Sequence, residues 1–161
     1  MFGLFGKKKK QVSIAAPITG KAVALDQVPD AAFSQKIIGD GIAIEPTEGV
    51  FVAPFDGTIV HLIDSHHSLV MASDEGVELL VHIGINTVSL QGKPFTPHVK
   101  SGDKVKKGDT LIEFDIAQIK EAGLPTITPV IIANGDIVAE LKAHEGNVTA
   151  ASSPVIEITL K

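Results

Sequence analysis

The chain has 161 residues, of which 44% are hydrophobic and 20% are charged, so it is long enough for one domain with its own core. It contains no cysteine, which excludes a disulfide scaffold, a cysteine-ligated metal site and a thiol nucleophile within this chain. All 14 positive charges are lysines, so the chain lacks the planar guanidinium donor that phosphate and nucleic-acid sites favour.

Charge is unevenly distributed along the sequence. The net charge is -5, but residues 7–10 are four consecutive lysines. From Gln11 onward, 10 lysines stand against 19 acidic residues, a balance of -9. An acidic body argues against nucleic acid as a partner and favours a protein with a basic face.

The first ten residues form a segment of their own. Phe2, Leu4 and Phe5 precede the four lysines, which is the reverse of the order in a secretory signal peptide. No stretch reaches the roughly 20 apolar residues of a membrane-spanning helix. We therefore expect a cytoplasmic protein with a flexible tail at residues 1–10 and one domain at residues 11–161. The tail's composition predicts at most weak contact with an anionic membrane surface, which would make the protein peripheral there.

The rest of the sequence is typical of an all-β protein. Short β-branched segments bounded by Gly, Pro, Asp and Asn recur about every ten residues, which favours an antiparallel β-sandwich or barrel-like fold. Helix is predicted only near residues 30–36 and 116–121, where Asp30 and Asp115 are suitable N-caps. The predicted strands are residues 12–15, 20–25, 41–46, 51–53, 57–63, 68–72, 77–83, 98–99, 110–115, 128–132 and 155–159.

Two segments of the sequence echo each other. Residues 16–23 and residues 53–60 both read Ala-Pro-x-x-Gly-x-x-Val, and each leads from a proline turn into a predicted strand. Residues 99–111 repeat Gly-Asp turns that resemble those of lipoyl and biotinyl carrier folds, without the lysine-bearing hairpin tip that carries their cofactor. The echoes predict a duplicated hybrid motif.

A hairpin is predicted around two histidines. Ser-Asp-Glu-Gly at residues 73–76 is a turn signature between two strand-like runs. With Asp74 and Glu75 at the tip, His67 lies directly opposite His82, where Cβ atoms are about 4.5–5.5 Å apart. Both imidazoles could then act on one small group.

The outer face of this hairpin should carry the histidines. Alternate residues from Val77 to Ile85 are all apolar and belong in the core, so His82 and its neighbour His67 should face outward. Leu69 and Leu80 oppose each other beside them in the same register. Exposed leucines next to paired histidines favour a protein partner.

The histidine pair alone allows three interpretations. A neutral imidazole can accept a phosphoryl group while a second one hydrogen-bonds the phosphoryl oxygens. Two histidines could also bind Zn²⁺ if a further ligand were supplied. They could instead be solvated polar residues on a strand face.

The motifs around the hairpin resemble the glucose-type enzyme IIA family of the bacterial phosphoenolpyruvate-dependent sugar phosphotransferase system. Gly-Asp-Gly-Ile-Ala at residues 39–43 and Val-His-Ile-Gly-Ile at residues 81–85 carry the resemblance most specifically. The two Ala-Pro-x-x-Gly segments and Thr-Pro-Val at residues 128–130 add to it. The similarity extends from about Val12 to the end of the chain.

This resemblance implies an antiparallel β-sandwich and a phosphoryl relay. His82 would accept phosphate on Nε2 from the phosphocarrier protein HPr and pass it to a cysteine of enzyme IIB of a glucose-type permease. His67 would hold the phosphoryl group, Ser65 would orient His67, and the Gly84 carbonyl would orient His82. The alternative is a regulatory module of the same fold that docks partners without relaying phosphate.

The resemblance requires no cofactor, and it permits zinc at His67 and His82 only with a ligand from a partner. Asn86 stands where many relatives have an aspartate, so a negative charge near His82 is lost. Leu80 replaces an aromatic residue that some relatives have. Eight positions correspond to the family's partner-binding face: Asp30, Phe33, Ile37, Ile38, Ile63, Leu69, Leu80 and Asn86.

Overall fold

A computed structural model describes residues 10–161 as an antiparallel all-β structure, which confirms the predicted fold class. The predicted tail lies outside the described residues except for Lys10. Within residues 10–161, no helix is long and apolar enough to cross a membrane.

Strands account for most of the regular structure, and the helical pieces are short. The helices are α1 (Ala31–Ser34) and α2 (Ile116–Glu121), with 3₁₀ turns at Leu25–Gln27, Thr87–Leu90 and Gly135–Ile137. The strands are β1 (Gln11–Ala15), β2 (Gly20–Val23), β3 (Gly41–Pro46), β4 (Val50–Val52), β5 (Gly57–Leu62), β6 (Ser68–Ser73), β7 (Glu78–His82), β8 (Phe95–Pro97), β9 (Lys104–Val105), β10 (Thr110–Phe114), β11 (Thr128–Ile132), β12 (Val138–Ala143), β13 (Gly146–Val148) and β14 (Pro154–Leu160).

Both helices begin at the predicted caps. A carboxylate oxygen of Asp30 accepts a hydrogen bond from the Ala32 amide at 2.9 Å, and one of Asp115 accepts from the Gln118 amide at 3.1 Å. These bonds satisfy amide groups that have no partner within the first turn of a helix. The position of α1 matters for the site, because this helix carries Phe33.

The strands form three antiparallel sheets around an aliphatic core. The largest sheet has the order β13-β2-β3-β11-β7-β6-β5-β9, and two three-stranded sheets have the orders β1-β14-β12 and β4-β10-β8. The main cluster of buried side chains joins all three sheets and includes Ile14, Leu79, Leu111 and Ile156. A smaller cluster that includes Phe33 and Ile131 lies near α1.

The large sheet has an internal two-fold relationship, as the echoed segments predict. Its strand order reads the same from either end when β2, β3, β11 and β13 are matched with β5, β6, β7 and β9. Gly20 pairs with Pro46 in one half as Gly57 pairs with Ser73 in the other. A Cβ at either glycine would lie 2.1 Å from a carbonyl oxygen of the adjacent strand. The repeated glycine therefore permits close approach of two backbones.

The two halves differ at the histidines. Ser68 pairs with His82 in one half, and the equivalent pair in the other half is Gly41 with Ile131. Matching these pairs makes Ile131 the counterpart of His82 and makes Asp40 the counterpart of His67. The duplicated scaffold therefore carries its histidine pair in one half only.

Several predicted strand boundaries differ from the structure. The strand expected at residues 98–99 lies instead at Phe95–Pro97, and β9, β12 and β13 were not predicted. These elements all lie at sheet edges. Edge strands need fewer buried side chains, so their sequences carry a weak alternation signal.

The predicted register of the β6–β7 hairpin is wrong by one residue. Ser68, not His67, pairs with His82, and Leu69 pairs with Val81. The cause is the loop, where the Ser73 amide donates to the Val77 carbonyl oxygen at 2.8 Å and the Val77 amide donates to Ser73 Oγ at 3.0 Å. These two bonds close a three-residue loop, residues 74–76, between Ser73 and Val77, so the strand pairing is shifted by one residue from the one that the turn signature suggested.

Candidate active site

The two histidine rings meet at the end of the β6–β7 hairpin despite the corrected register. His66 adopts a left-handed conformation with φ of 62°, so the chain changes direction immediately before His67. The Ile83 amide then donates to the His67 carbonyl oxygen at 2.7 Å. The ring centroids of His67 and His82 lie 4.8 Å apart, with the ring planes at 75°.

The His82 ring is oriented by a backbone carbonyl. Its Nδ1 lies 2.7 Å from the Gly84 oxygen. A carbonyl oxygen only accepts, so Nδ1 carries the hydrogen, and the neutral ring keeps its lone pair on Nε2. Phe33 packs against this ring with a centroid separation of 5.4 Å. The arrangement leaves Nε2 as the available nucleophilic atom.

His67 is oriented by a hydroxyl group. Its Nδ1 lies 2.7 Å from Ser65 Oγ, and its ring centroid lies 6.3 Å from that of Phe95. A hydroxyl can donate or accept, so this bond suits either neutral tautomer. When Ser65 donates, the hydrogen of the His67 ring is on Nε2, where it can be given to an anionic oxygen.

Burial keeps both histidines neutral at pH 7. Desolvation by burial and, as the smaller cause, the neighbouring His82 together lower the pKa of His67 to about 4. Desolvation also lowers the pKa of His82, although the hydrogen bond to Gly84 and the negative charge of Asp30 act in the opposite direction. The lone pair on His82 Nε2 is therefore free of a proton at neutral pH.

The predicted outward orientation of His67 and Leu69 is wrong. His67 is only 3% exposed and Leu69 is 1% exposed, because the corrected register turns Leu69 into the core. Phe33 is 5% exposed and lies against the His82 ring. His67 and Phe33 therefore line the site from within, and Leu69 belongs to the main core cluster.

Other predicted partner-binding residues do lie at the surface. Ile37, Ile38 and Ile63 are 69%, 40% and 36% exposed, which is high for large apolar side chains. Asn86 is also exposed, whereas Asp30 and Leu80 are half-buried.

Three residues near the site were not predicted as site residues, although Thr128 belongs to the Thr-Pro-Val motif of the family resemblance. Phe95 contacts His67, the fully buried Thr87 follows the Gly84 turn, and Thr128 lies beside that turn. The rarity of aromatic residues was a usable signal for Phe95. A buried threonine hydroxyl has no comparable signature in the sequence.

Comparisons with known proteins place this site in a family. The profile of the family described as phosphoenolpyruvate-dependent sugar phosphotransferase system, EIIA 1, matches residues 12–138. The chain is also 42% identical over 162 residues to the PTS system glucose-specific EIIA component of Bacillus anthracis, a match that covers 100% of this chain and 98% of that protein. The chain belongs to the EIIA family of the sugar phosphotransferase system.

A solved structure and a larger protein extend the comparison of this EIIA family member. Glucose permease IIA from Mycoplasma capricolum superposes with a TM-score of 0.84 at 31% identity, covering 92% of this chain and 96% of that one. The PTS system β-glucoside-specific EIIBCA component of Halalkalibacterium halodurans is 43% identical over 146 residues, which cover 91% of this chain but 23% of that protein. The EIIA fold therefore also occurs as part of a much longer chain.

The histidine pair supplies only part of a zinc site. Both Nδ1 atoms are occupied by Ser65 and Gly84, which leaves the two Nε2 atoms as ligands. Residues 10–161 contain no group of three or more potential metal ligands. A protein zinc site needs at least three such ligands, so zinc binding stays a prediction that depends on a partner's ligand.

Proposed function

We propose that this EIIA protein is a cytoplasmic phosphoryl carrier of glucose-type sugar uptake, with phospho-HPr as donor and a cysteine of enzyme IIB as acceptor. The observation that carries the proposal is the orientation of the His82 ring. Its Nδ1 is held by the Gly84 carbonyl oxygen at 2.7 Å, and its ring centroid lies 4.8 Å from that of His67. This geometry leaves one unprotonated nitrogen beside one potential hydrogen-bond donor.

The relay consists of two displacements at phosphorus. The lone pair of His82 Nε2 attacks the phosphoryl group of phospho-HPr, the bond from phosphorus to the donor atom breaks, and its electron pair returns to HPr. A thiolate of enzyme IIB then attacks the same phosphorus, and the electron pair of the Nε2–P bond returns to His82. The resting tautomer of His82 is restored without net proton loss.

His67 and Ser65 stabilise the group in transit. With its pKa lowered to about 4 by burial and by His82, His67 enters the reaction as a neutral ring. Donation from Ser65 to Nδ1 places the His67 hydrogen on Nε2, from which it can bond a phosphoryl oxygen. Donors fixed before the reaction need no rearrangement as charge develops.

The surface supports protein partners of the expected kind. The exposed side chains of Ile37, Ile38 and Ile63 offer apolar contacts, and the body from Gln11 onward carries a charge of -9. The EIIBCA relative, in which an EIIA-like segment is a quarter or less of the chain, supports enzyme IIB as a partner. Glucose-type specificity rests on the names of the similar proteins.

Radiolabel transfer from phosphoenolpyruvate through enzyme I and HPr tests the proposal. The wild-type chain should acquire an acid-labile, base-stable label, and His82→Gln should acquire none because glutamine lacks the nucleophilic lone pair. His61→Gln, a change at an exposed histidine, is the matched control and should label normally. Wild-type labelling of His82→Gln would refute the assignment, and label that never reaches an enzyme IIB thiol would refute the relay.

A further inference from the structure

The turn that follows β7 is held by a nearly complete set of hydrogen bonds. The Ile83 amide donates to the His67 carbonyl, and the Ile85 amide donates to the Pro125 carbonyl at 3.1 Å. Thr87 Oγ1 donates to the Ile83 carbonyl at 2.6 Å. These bonds tie the turn to three separate parts of the chain.

Gly84 lies at the centre of this turn. Its amide donates to Thr128 Oγ1 at 3.4 Å, and Thr128 Oγ1 itself donates to the Thr126 carbonyl at 3.0 Å. The one remaining polar group of Gly84, its carbonyl oxygen, accepts from His82 Nδ1. The two threonine hydroxyls thus hold both polar groups of the peptide unit that joins Ile83 to Gly84, immediately before the carbonyl that orients His82.

Packing restricts Gly84 as well. It has φ of 71°, a conformation that favours glycine, and a Cβ there would lie 2.6 Å from Thr87 Cγ2 and 2.8 Å from the Pro125 oxygen. The methyl group of Thr87 therefore occupies the space beside Gly84 while its hydroxyl group bonds Ile83. Both Thr87 and Thr128 are fully buried, so water does not compete for these bonds.

We infer that Thr87 and Thr128 are positioning residues for phosphoryl acceptance, which act by holding the Gly84 carbonyl where it fixes the Nδ1–H tautomer of His82. If the carbonyl were free to turn away, the hydrogen of His82 could move to Nε2 and remove the nucleophilic lone pair. This inference rests on the proposed function of His82, but its first consequence, the tautomer, exists without any partner.

The test combines ¹⁵N spectra of the His82 ring with single-turnover phosphoryl acceptance at saturating phospho-HPr. Thr87→Val keeps the shape and removes the hydroxyl, and we expect it to reduce the Nδ1–H tautomer and to slow acceptance about tenfold. Thr87→Ser keeps the hydroxyl and should restore both readouts. Thr128→Val, which removes the bond to the Gly84 amide, should act in the same direction and provides a second variant if Thr87→Val does not fold.

Thr19→Val is the matched control. Thr19 is half-buried and its hydroxyl likewise accepts a backbone amide, that of Ala150 at 2.9 Å, but it precedes β2, which lies three strands from β7 in the large sheet. It should leave the His82 tautomer and the acceptance rate unchanged. Wild-type spectra and rates in both Thr87→Val and Thr128→Val would overturn the inference, as would a Thr87→Ser variant as impaired as Thr87→Val. If the wild-type chain itself accepted no phosphate, the proposed function would fail while the spectra would still decide the tautomer.

Discussion

The two histidines of the site differ in what holds them. His82 is bonded to a carbonyl that permits one neutral tautomer, whereas His67 is bonded to a hydroxyl that permits two. The first arrangement suits a nucleophile with a permanent lone pair, and the second suits a group that donates to a phosphoryl oxygen. The chemical difference between the two rings thus follows from the group that each is bonded to, because both residues are histidines.

The lowered pKa of His67 predicts a loss of stability in acid. Its pKa is about 4 in the fold and about 6.5 when unfolded, so between these values the unfolded chain binds a proton that the fold excludes. The stabilising contribution is present above pH 6.5 and is lost as the pH falls towards 4. His67→Gln should therefore reduce the drop in the free energy of unfolding between pH 7 and pH 4.5 by about 2 kcal/mol.

Urea unfolding at the two pH values measures this effect. His61→Gln, which alters an exposed histidine, should leave the difference between the two pH values as in the wild-type chain. An unchanged acid loss in His67→Gln would mean that burial does not keep His67 neutral.

At the scale of elements, helix α1 connects its N-cap residue, Asp30, with the histidine site, because the same helix carries Phe33. Asp30 caps the helix, the helix carries Phe33 against His82, and the Asp30 charge raises the pKa of His82 against the effect of burial. One side chain therefore contributes both to local folding and to the pKa of His82. Two substitutions can separate these roles.

Asp30→Asn and Asp30→Ala should have different effects. Asparagine caps as well as aspartate, so Asp30→Asn should keep the stability but lower the pKa of His82 further, because it removes the negative charge. Asp30→Ala should also lower the free energy of unfolding by about 1 kcal/mol. NMR titration of His82 and urea unfolding provide the two readouts.

Asp115→Ala is the control for the cap, because Asp115 caps α2 in the same manner. It should cost a similar amount of stability and leave the titration of His82 unaltered. A His82 titration in Asp30→Asn that matches the wild type would show that the Asp30 charge does not act on this ring.

At the scale of the whole molecule, the large sheet consists of two similar halves, and only one of them carries the histidine pair. The strand order of the large sheet is symmetric, but the counterparts of His67 and His82 are Asp40 and Ile131. Ile131 is fully buried in the smaller core cluster. One half therefore has a packed apolar side chain at the position where the other half has an imidazole ring.

The two-fold frame predicts matched effects at its repeated glycines. In both Gly20→Ala and Gly57→Ala the new Cβ would meet a carbonyl oxygen of the adjacent strand at 2.1 Å, and backbone atoms in a paired sheet cannot move aside independently. Each change should cost about 3 kcal/mol or more of unfolding free energy. Urea unfolding should show Gly135→Ala, where no atom lies within 4 Å of the new Cβ, close to wild type. Strongly unequal losses at Gly20 and Gly57 would contradict their equivalence.

Local sequence signals determined much of this protein. Turn residues and alternation located most central strands, Asp30 and Asp115 located the helix starts, and the repeated Ala-Pro-x-x-Gly segments predicted the duplication. The family also followed from short motifs in the sequence. Each of these features depends on neighbours within a few residues, so the sequence carries it directly.

Only the tertiary structure decided the register, the burial of His67 and the bonds behind Gly84. Alternation cannot choose between registers that differ by one residue when both strands are rich in apolar residues, and here two bonds of Ser73 made the choice. The lowered pKa values arise because α1 and distant loops surround the rings, and such desolvation depends on every atom nearby. The sequence thus specified which residues are present at the site, while packing decided how each histidine ring is held and which nitrogen of His82 is left free.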